Sequence, residues 1–144
     1  VAQVGNPTSL DYHLKASVVW ANEVKTGRYF PFIPAPRLSQ SLEYNKTHRN
    51  SLLSRMNASI GHTFVAKQTR FEPSQELVPT TPDAYHLFEA SIGGTLDIGK
   101  RQTLDIRLSA ENLFNTEYKE YTNRFRYYAH DLGRNVYLRV NYNF

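Results

Sequence analysis

The last ten residues, NVYLRVNYNF at positions 135–144, decide the fold that we expect for this chain. Apolar and polar side chains alternate through them without a break, and Val136, Leu138 and Val140 share one parity with the two final aromatic rings. Successive side chains of a β-strand point to opposite faces of the sheet. The stretch therefore predicts a strand with one apolar and one polar face.

The same alternation occurs in five segments farther upstream, while the 3.6-residue repeat of an amphipathic helix is never sustained. These segments run from Tyr12 to Trp20, Leu38 to Tyr44, Met56 to Ala66, Phe88 to Ile98 and Leu104 to Ala110. Their apolar parity carries no Asp, Glu, Lys or Arg. The pattern predicts an all-β chain of about six strands.

The connections between these segments alternate in length, which is a second and independent observation. Two are short, Lys46–Ser51 and Gly99–Gln102, and three are long, Lys25–Ala35, Thr69–Asp83 and Asn115–Gly133. Sequential strands are usually neighbours in space. We therefore expect an antiparallel up-and-down meander with tight turns at one end and large loops at the other.

Composition excludes several classes of protein. The 144 residues include no Cys, so disulfide scaffolds, thiolate metal sites and cysteine nucleophiles are ruled out. The net charge is +4, with the cations scattered among acids, which gives nucleic-acid binding little support. No apolar run approaches the roughly 20 residues of a membrane-spanning helix.

Two environments for the apolar parity compete. It could pack on a second sheet in a soluble all-β ligand-binding module, or it could meet lipid as part of a membrane barrel. The segments are longer than the ~5–6 residues usual for soluble strands, and four of the six reach the ~9–11 of strands that cross a bilayer. Aromatic residues also lie near the segment ends, as in the girdles of membrane barrels: Tyr12, Tyr44, Tyr142 and Phe144 toward the tight turns, and Trp20, Phe64, Phe88 and Phe114 toward the long loops.

Charged residues of both signs occupy the polar parity, as suits the hydrated lumen of a transmembrane β-barrel. We expect nine of them to face the lumen: Lys15, Arg37, Glu43, Arg55, Glu89, Asp105, Arg107, Glu111 and Arg139. Six strands are too few to close a barrel, since the smallest have about eight. The chain must then form part of a larger wall, or be a small adhesin-like barrel that oligomerisation completes.

The last third of the chain resembles the C-terminal part of TonB-dependent outer-membrane receptors. It contains the ENLFN sequence at 111–115, then Tyr118, Tyr121 and Arg124, the GRN sequence at 133–135, and a terminal aromatic residue. Upstream, the sequence FIPAPRL at 32–38 resembles the segment that precedes another strand of these barrels. The combination spans residues 32–144.

This resemblance implies a barrel of about 22 strands, an N-terminal plug and energy supplied through TonB. Residues 1–144 contain neither plug nor TonB box, so we expect them to be the last six strands of such a receptor. The implied function is uptake of a scarce nutrient, and we expect this nutrient to be an iron chelate such as a siderophore or haem. The implied partners are the rest of the barrel and plug, the TonB complex through that plug, and outer-membrane lipid. The C-terminus and tight turns would be periplasmic, the long loops extracellular, and Phe144 the signal for barrel assembly.

The loop at 115–133 is the strongest candidate for ligand contact. Aromatic rings and guanidinium groups suit ferric chelates and other anionic aromatic ligands. The candidates are Tyr118, Tyr121, Arg124, Arg126, Tyr127, Tyr128 and His130, together with Tyr29 and Phe30 in a segment flanked by prolines. The alternative is that these side chains pack the loops at the membrane rim. Asn112 and Arg134 are expected to order the junctions between strand and loop.

Motifs for metal binding or catalysis do not stand out. The five histidines have none of the spacings typical of metal sites, and phosphate-binding glycine loops and nucleophile elbows are missing. We therefore expect no enzyme activity, no cofactor and no metal site.

Overall fold

The computed structural model describes residues 7–49, 51–99 and 101–144. These residues form one antiparallel sheet of six strands in the order β1 to β6. The strands are β1 (Thr8–Ser17), β2 (Arg37–Thr47), β3 (Leu53–Val65), β4 (Tyr85–Asp97), β5 (Thr103–Glu111) and β6 (Asn135–Asn143). The predicted all-β meander is confirmed, and the sheet is open, because β1 and β6 each pair on one side only.

Long and short connections lie at opposite ends of the sheet, as predicted. We call the long ones loop A (18–36), loop B (66–84) and loop C (112–134); the short connections join β2 to β3 and β4 to β5. Two short 3-10 turns interrupt the loops, Pro73–Gln75 in loop B and Arg124–Tyr127 in loop C. None of the helices in the described part of the chain is long and apolar enough to cross a membrane.

The first strand differs from its prediction. It begins at Thr8 and ends at Ser17, so Trp20 lies in loop A and Tyr12 lies in mid-strand instead of at the tight-turn end. The register explains the earlier start, because Thr8 pairs with Lys46 near the end of β2. Since β2 runs to Thr47, Lys46 is a cation on the otherwise uncharged parity, at the strand end.

The register places the apolar parity of all six strands on one side, which we call the apolar face. Leu14 lies opposite Gln40, Ile92 opposite Leu108, and Leu108 in turn opposite Leu138. Large side chains on this face are strongly exposed, with Leu14 at 61% and Leu138 at 63%. No second layer formed by the described residues covers it.

Four residues with polar groups on the apolar face are joined by hydrogen bonds. The Tyr12 hydroxyl donates to Oε1 of Gln40 at 3.0 Å, and Nε2 of Gln40 lies 3.1 Å from Nδ1 of His62. Nε2 of His62 lies 2.9 Å from Nδ1 of His86, and the His62 ring stacks on Phe88. This row crosses β1 to β4, so the polar groups of Tyr12, Gln40, His62 and His86 form one continuous hydrogen-bonded chain.

The opposite side, which we call the polar face, carries hydroxyl pairs between strands. Ser39 hydrogen-bonds Thr63 at 3.0 Å, and Ser59 hydrogen-bonds Ser91 at 2.8 Å. The register brings to this face the nine charged residues named in the sequence analysis, Lys15, Arg37, Glu43, Arg55, Glu89, Asp105, Arg107, Glu111 and Arg139.

The small buried core lies at the loop end of the sheet. Ala35, Val65 and Tyr85 are buried there, with Leu87 and Tyr118 packed against them. Val65, Tyr85 and Leu87 share the parity of the polar face. The core therefore forms where the loops fold over the polar face, while the apolar face stays uncovered.

Candidate functional site

Loop C leaves and re-enters the sheet through a junction built on Asn112. This residue has φ of 47°, a left-handed conformation that Asn tolerates better than most residues. Its Oδ1 accepts from the Thr116 amide at 2.8 Å, and its Nδ2 donates to the carbonyls of Thr116 and Leu132. The side chain thus joins the two ends of loop C, as the sequence led us to expect.

Asn115 completes this junction. It also has positive φ, and its Oδ1 accepts from the Arg134 amide at 2.8 Å. A Cβ on Gly133 would lie 2.7 Å from that same oxygen. The glycine is therefore required for the close approach of Asn115 to the start of β6.

A buried polar cluster, the Glu76 cluster, connects loop B to loop C. Glu76 forms a salt bridge with Arg126 and accepts hydrogen bonds from the hydroxyls of Tyr121 and Tyr127. The Arg126 guanidinium lies between the rings of Tyr121 and Tyr127, 4.5 and 4.3 Å from their centroids. Hydrogen bonds and cation–π contacts of this kind stabilise an ion pair that is buried away from water.

Three tyrosines of loop C have a pKa raised above the ordinary value. Burial raises the pKa of Tyr121 and of Tyr127, and the hydrogen bond to Glu76 raises both further. Burial is also the main cause of the raised pKa of Tyr118, with smaller effects from Asp131 and Glu120. These phenols therefore stay protonated at neutral pH and act as hydrogen-bond donors.

Glu120 connects loop C to the sheet. Its Oε2 accepts from Arg37 at 2.6 Å and from the Tyr85 hydroxyl at 2.9 Å. Asp131 accepts from the Glu120 amide at 2.7 Å and from Nδ2 of Asn123 at 2.8 Å. Glu120 thus fixes loop C to the polar face, while Asp131 holds two parts of loop C together.

Loop A is bound to the other two loops. The buried Gln68 side chain in loop B donates to the carbonyls of Ile33 and Pro34 in loop A. The Phe32 ring of loop A lies 6.4 Å from that of Tyr121 in loop C. Because each loop contacts the other two, the three form one cap at the end of the sheet.

The cap divides the ligand-contact candidates into two groups. Tyr121 and Arg126 are only 2% and 3% exposed and belong with Tyr127 to the Glu76 cluster, while Tyr118 packs on Tyr85 in the core. Tyr29 is half-buried and forms an isolated bridge with Asn22. The candidates that present side chains to solvent are Phe30, Arg124, Tyr128 and His130.

Sequence reasoning missed several residues of the cap. Glu76, Gln68 and Glu120 hold the loops together, but each has its partner far away in the chain, and Arg126 is 50 positions from Glu76. No local pattern marks such a residue. Phe125, which is 73% exposed next to Arg124, belongs to the aromatic run of loop C that the sequence singled out, although it was not one of the ligand-contact candidates.

A cavity of about 270 Å³ lies between loop C and the polar face. Arg37, Glu89, Glu111 and Tyr118 contribute polar groups to its lining, and Phe88 contributes apolar surface. Glu111 also accepts from the Tyr137 hydroxyl at 3.1 Å. The arrangement offers mixed polar and apolar contacts of the kind that bind small molecules.

Within residues 7–49, 51–99 and 101–144, no group of three or more His, Asp or Glu side chains is placed to hold a metal ion.

Phe144 follows the end of β6, is 94% exposed and stacks on Tyr142 at 6.0 Å.

Comparison of the chain with family models, with curated proteins and with solved structures gave no match.

Proposed function

We propose that this chain is the C-terminal part of an outer-membrane β-barrel receptor of the TonB-dependent kind, which takes up an iron chelate such as a siderophore or haem. In this proposal the six strands supply wall and lumen, and the three loops supply part of the extracellular ligand gate. The observation that carries the proposal is the uncovered apolar face, which lies opposite a face of charged and hydroxylated residues.

The exposure of the apolar face is costly in water. Leu14, Ile60, Ile92 and Leu138 are each more than half exposed and belong to one continuous surface. Soluble monomers rarely present apolar patches larger than a few hundred Å². Contact with acyl chains removes this cost. A bilayer also explains why this face carries no charged residue except at a strand end, because a cation costs about 2–4 kcal/mol at mid-bilayer.

The two edges of the sheet support a larger barrel. The outer edges of β1 and β6 have no strand partner among the described residues. Unpaired backbone groups are too costly in hydrocarbon, so each edge must meet a further strand. In our proposal these strands, and a plug that engages the TonB complex, belong to the remainder of the receptor.

The loop cap fits a ligand gate. Arg124, Phe125, Tyr128 and His130 present cationic and aromatic groups to solvent from a loop that the Glu76 cluster holds in place. Such groups stack on flat ligands and neutralise anionic ones. We place this cap outside the cell, and the tight turns and Phe144, the proposed assembly signal, on the periplasmic side.

The environment of the two faces can be tested with single cysteines, because the chain has none of its own. Val140→Cys and Asn141→Cys put a fluorophore on neighbouring positions of β6 that face opposite ways. In the membrane-inserted protein, spin-labelled lipid should quench the label at 140 strongly and the label at 141 weakly. Equal and weak quenching at both positions would instead favour a soluble all-β module.

Uptake is tested separately, in iron-limited cells that depend on this protein. We expect accumulation of a radiolabelled ferric chelate that stops when the inner membrane is de-energised. Tyr128→Ala and Arg124→Gln should reduce chelate binding while the amount of folded protein stays constant, because both side chains are exposed. Uptake that persists without inner-membrane energy would contradict a TonB-dependent mechanism.

A further inference from the structure

Three arginines lie on the polar face in the half of the sheet nearer the tight turns. Arg55 is on β3, Arg107 on β5 and Arg139 on β6. Arg107 and Arg139 are direct register partners. Residues directly opposite each other in an antiparallel pair have Cβ atoms about 4.5–5.5 Å apart, and like charges placed so are destabilising. The repulsion between the two charges therefore lowers the stability of the sheet unless another group compensates for it.

None of the three guanidinium groups has a hydrogen-bond or salt-bridge partner within the described residues. The nearby carboxylate, Asp105, is already engaged, since it accepts from Thr95 at 2.6 Å and from Asn143 at 3.1 Å. This contrasts with Arg37 and Arg126, which both pair with glutamates. The three arginines thus keep all their donors available.

The arginines line a cavity of about 380 Å³, whose lining also includes Asn57, Asn141 and the acidic residue Asp105. This volume lies in the range of small-molecule sites. Gly93 stands between Asn57 and Arg107 in the same row of the sheet. A Cβ there would lie 2.9 Å from Oδ1 of Asn57 and 3.4 Å from Cβ of Arg107, so the glycine lets these side chains approach each other. Glycine within a strand often marks close approach of this kind.

We propose that Arg55, Arg107 and Arg139 form a binding site for a small oxyanion that carries two or more carboxylate or phosphate groups. Guanidinium groups bind such oxygens through paired N–H donors, and three of them on separate strands can engage more than one anionic group at once. A bound anion offsets the repulsion between Arg107 and Arg139. All three arginines lie on the polar face, so this proposal holds whether the apolar face meets lipid or a second sheet.

The test is calorimetric titration of the purified protein at low ionic strength, in detergent or in buffer, whichever keeps it monodisperse. The probes are citrate and inorganic phosphate, with acetate as the monovalent control. We expect saturable binding of citrate, weaker binding of phosphate and none of acetate. Added salt should weaken the binding, because it screens exposed charges.

Two variants separate a site from a general charge effect. Arg139→Gln removes one member of the opposed pair, and Lys15→Gln removes a cation of the same face outside the cavity. We expect Arg139→Gln to weaken citrate binding about tenfold or more, as for loss of a charged hydrogen-bonding group, and Lys15→Gln to leave it nearly unchanged. Equal losses in the two variants, or no citrate binding at millimolar concentrations, would overturn the proposal.

Thermal unfolding without ligand supplies a second readout. Removing Arg139 relieves the repulsion with Arg107, so Arg139→Gln should unfold at a slightly higher temperature than the unchanged protein while it loses citrate binding. A structural role for Arg139 predicts the reverse, namely a lower unfolding temperature. Lower stability together with unchanged citrate affinity would assign Arg139 to the scaffold and refute the site.

Discussion

Glu76 and Arg126 form a salt bridge across 50 positions of the chain, with only 1% and 3% of their side chains exposed. Two tyrosine hydroxyls and two tyrosine rings surround the pair. The pair joins loops B and C, so the shape of the cap depends on it. Removing one member of a buried pair leaves an uncompensated charge, at a cost of about 3–5 kcal/mol.

Glu76→Gln is therefore expected to separate loops B and C, because the unpaired Arg126 regains water when the loops open. Hydrogen exchange at residues 121–127 measures this opening, and it should accelerate strongly while β3 and β4 stay protected. The matched control is Asp83→Asn, which breaks the exposed Lys67–Asp83 pair and should change exchange very little. Unchanged protection of loop C in Glu76→Gln would contradict the structural role of the cluster.

High pH should weaken the same cluster. Burial and the hydrogen bond to Glu76 raise the pKa of Tyr121 above the ordinary value of 10.0. A group whose pKa is raised on folding contributes stability that is complete below the unfolded pKa and is lost as pH rises above it. The stability of the cap should thus be constant up to about pH 10 and fall beyond it. Tyr121→Phe should show a shallower fall, and tyrosinate absorbance with parallel unfolding curves measures the difference.

The Asn112 junction should be sensitive in two separable ways. Asn112→Ala removes three hydrogen bonds and places a Cβ-bearing residue without a polar side chain at a positive φ, whereas Asn112→Gly removes only the hydrogen bonds. We expect both to destabilise loop C, with Ala worse by about 1–2 kcal/mol, the cost of the left-handed conformation. Denaturant unfolding of the two variants gives this difference, and equal stabilities would show that backbone strain plays no part.

Charge on the two faces of β2 should have opposite consequences. Leu42→Arg puts a cation in the middle of the apolar face, and Ser41→Arg puts one on the polar face at the next position. If lipid meets the apolar face, Leu42→Arg costs about 2–4 kcal/mol and lowers the yield of membrane-inserted protein, while Ser41→Arg is tolerated. The yield of folded protein in outer-membrane fractions checks this. Improved solubility of Leu42→Arg without detergent would be the opposite result.

The architecture could be predicted because the alternation of apolar and polar side chains in a strand is visible in neighbouring residues of the sequence. Alternation from Val136 to Tyr142, and the same alternation upstream, placed six strands, and the lengths of the connections placed tight turns and loops at opposite ends. The prediction was wrong at β1, where apolar residues at 18–20 continue the pattern beyond Ser17 although the chain has already left the sheet. Apolar residues in a loop look like strand residues when no neighbouring strand is known.

The sequence predicted which residues of loop C are aromatic or cationic, but not which of them are buried by contacts with other loops. The aromatic and cationic residues of loop C are part of the cap, yet Tyr121 and Arg126 turned inward because Glu76, in a different loop, offers them a carboxylate. The sequence around Glu76 contains no pattern that predicts its contact with Arg126.

The sequence by itself thus determined the two faces and the meander, since a repeat of two residues fixes which side each side chain takes. Only the tertiary structure decided which side chains meet, such as Glu76 with Arg126 or Arg107 with Arg139. Register and loop packing set those contacts, and both depend on interactions between residues that lie far apart in the chain.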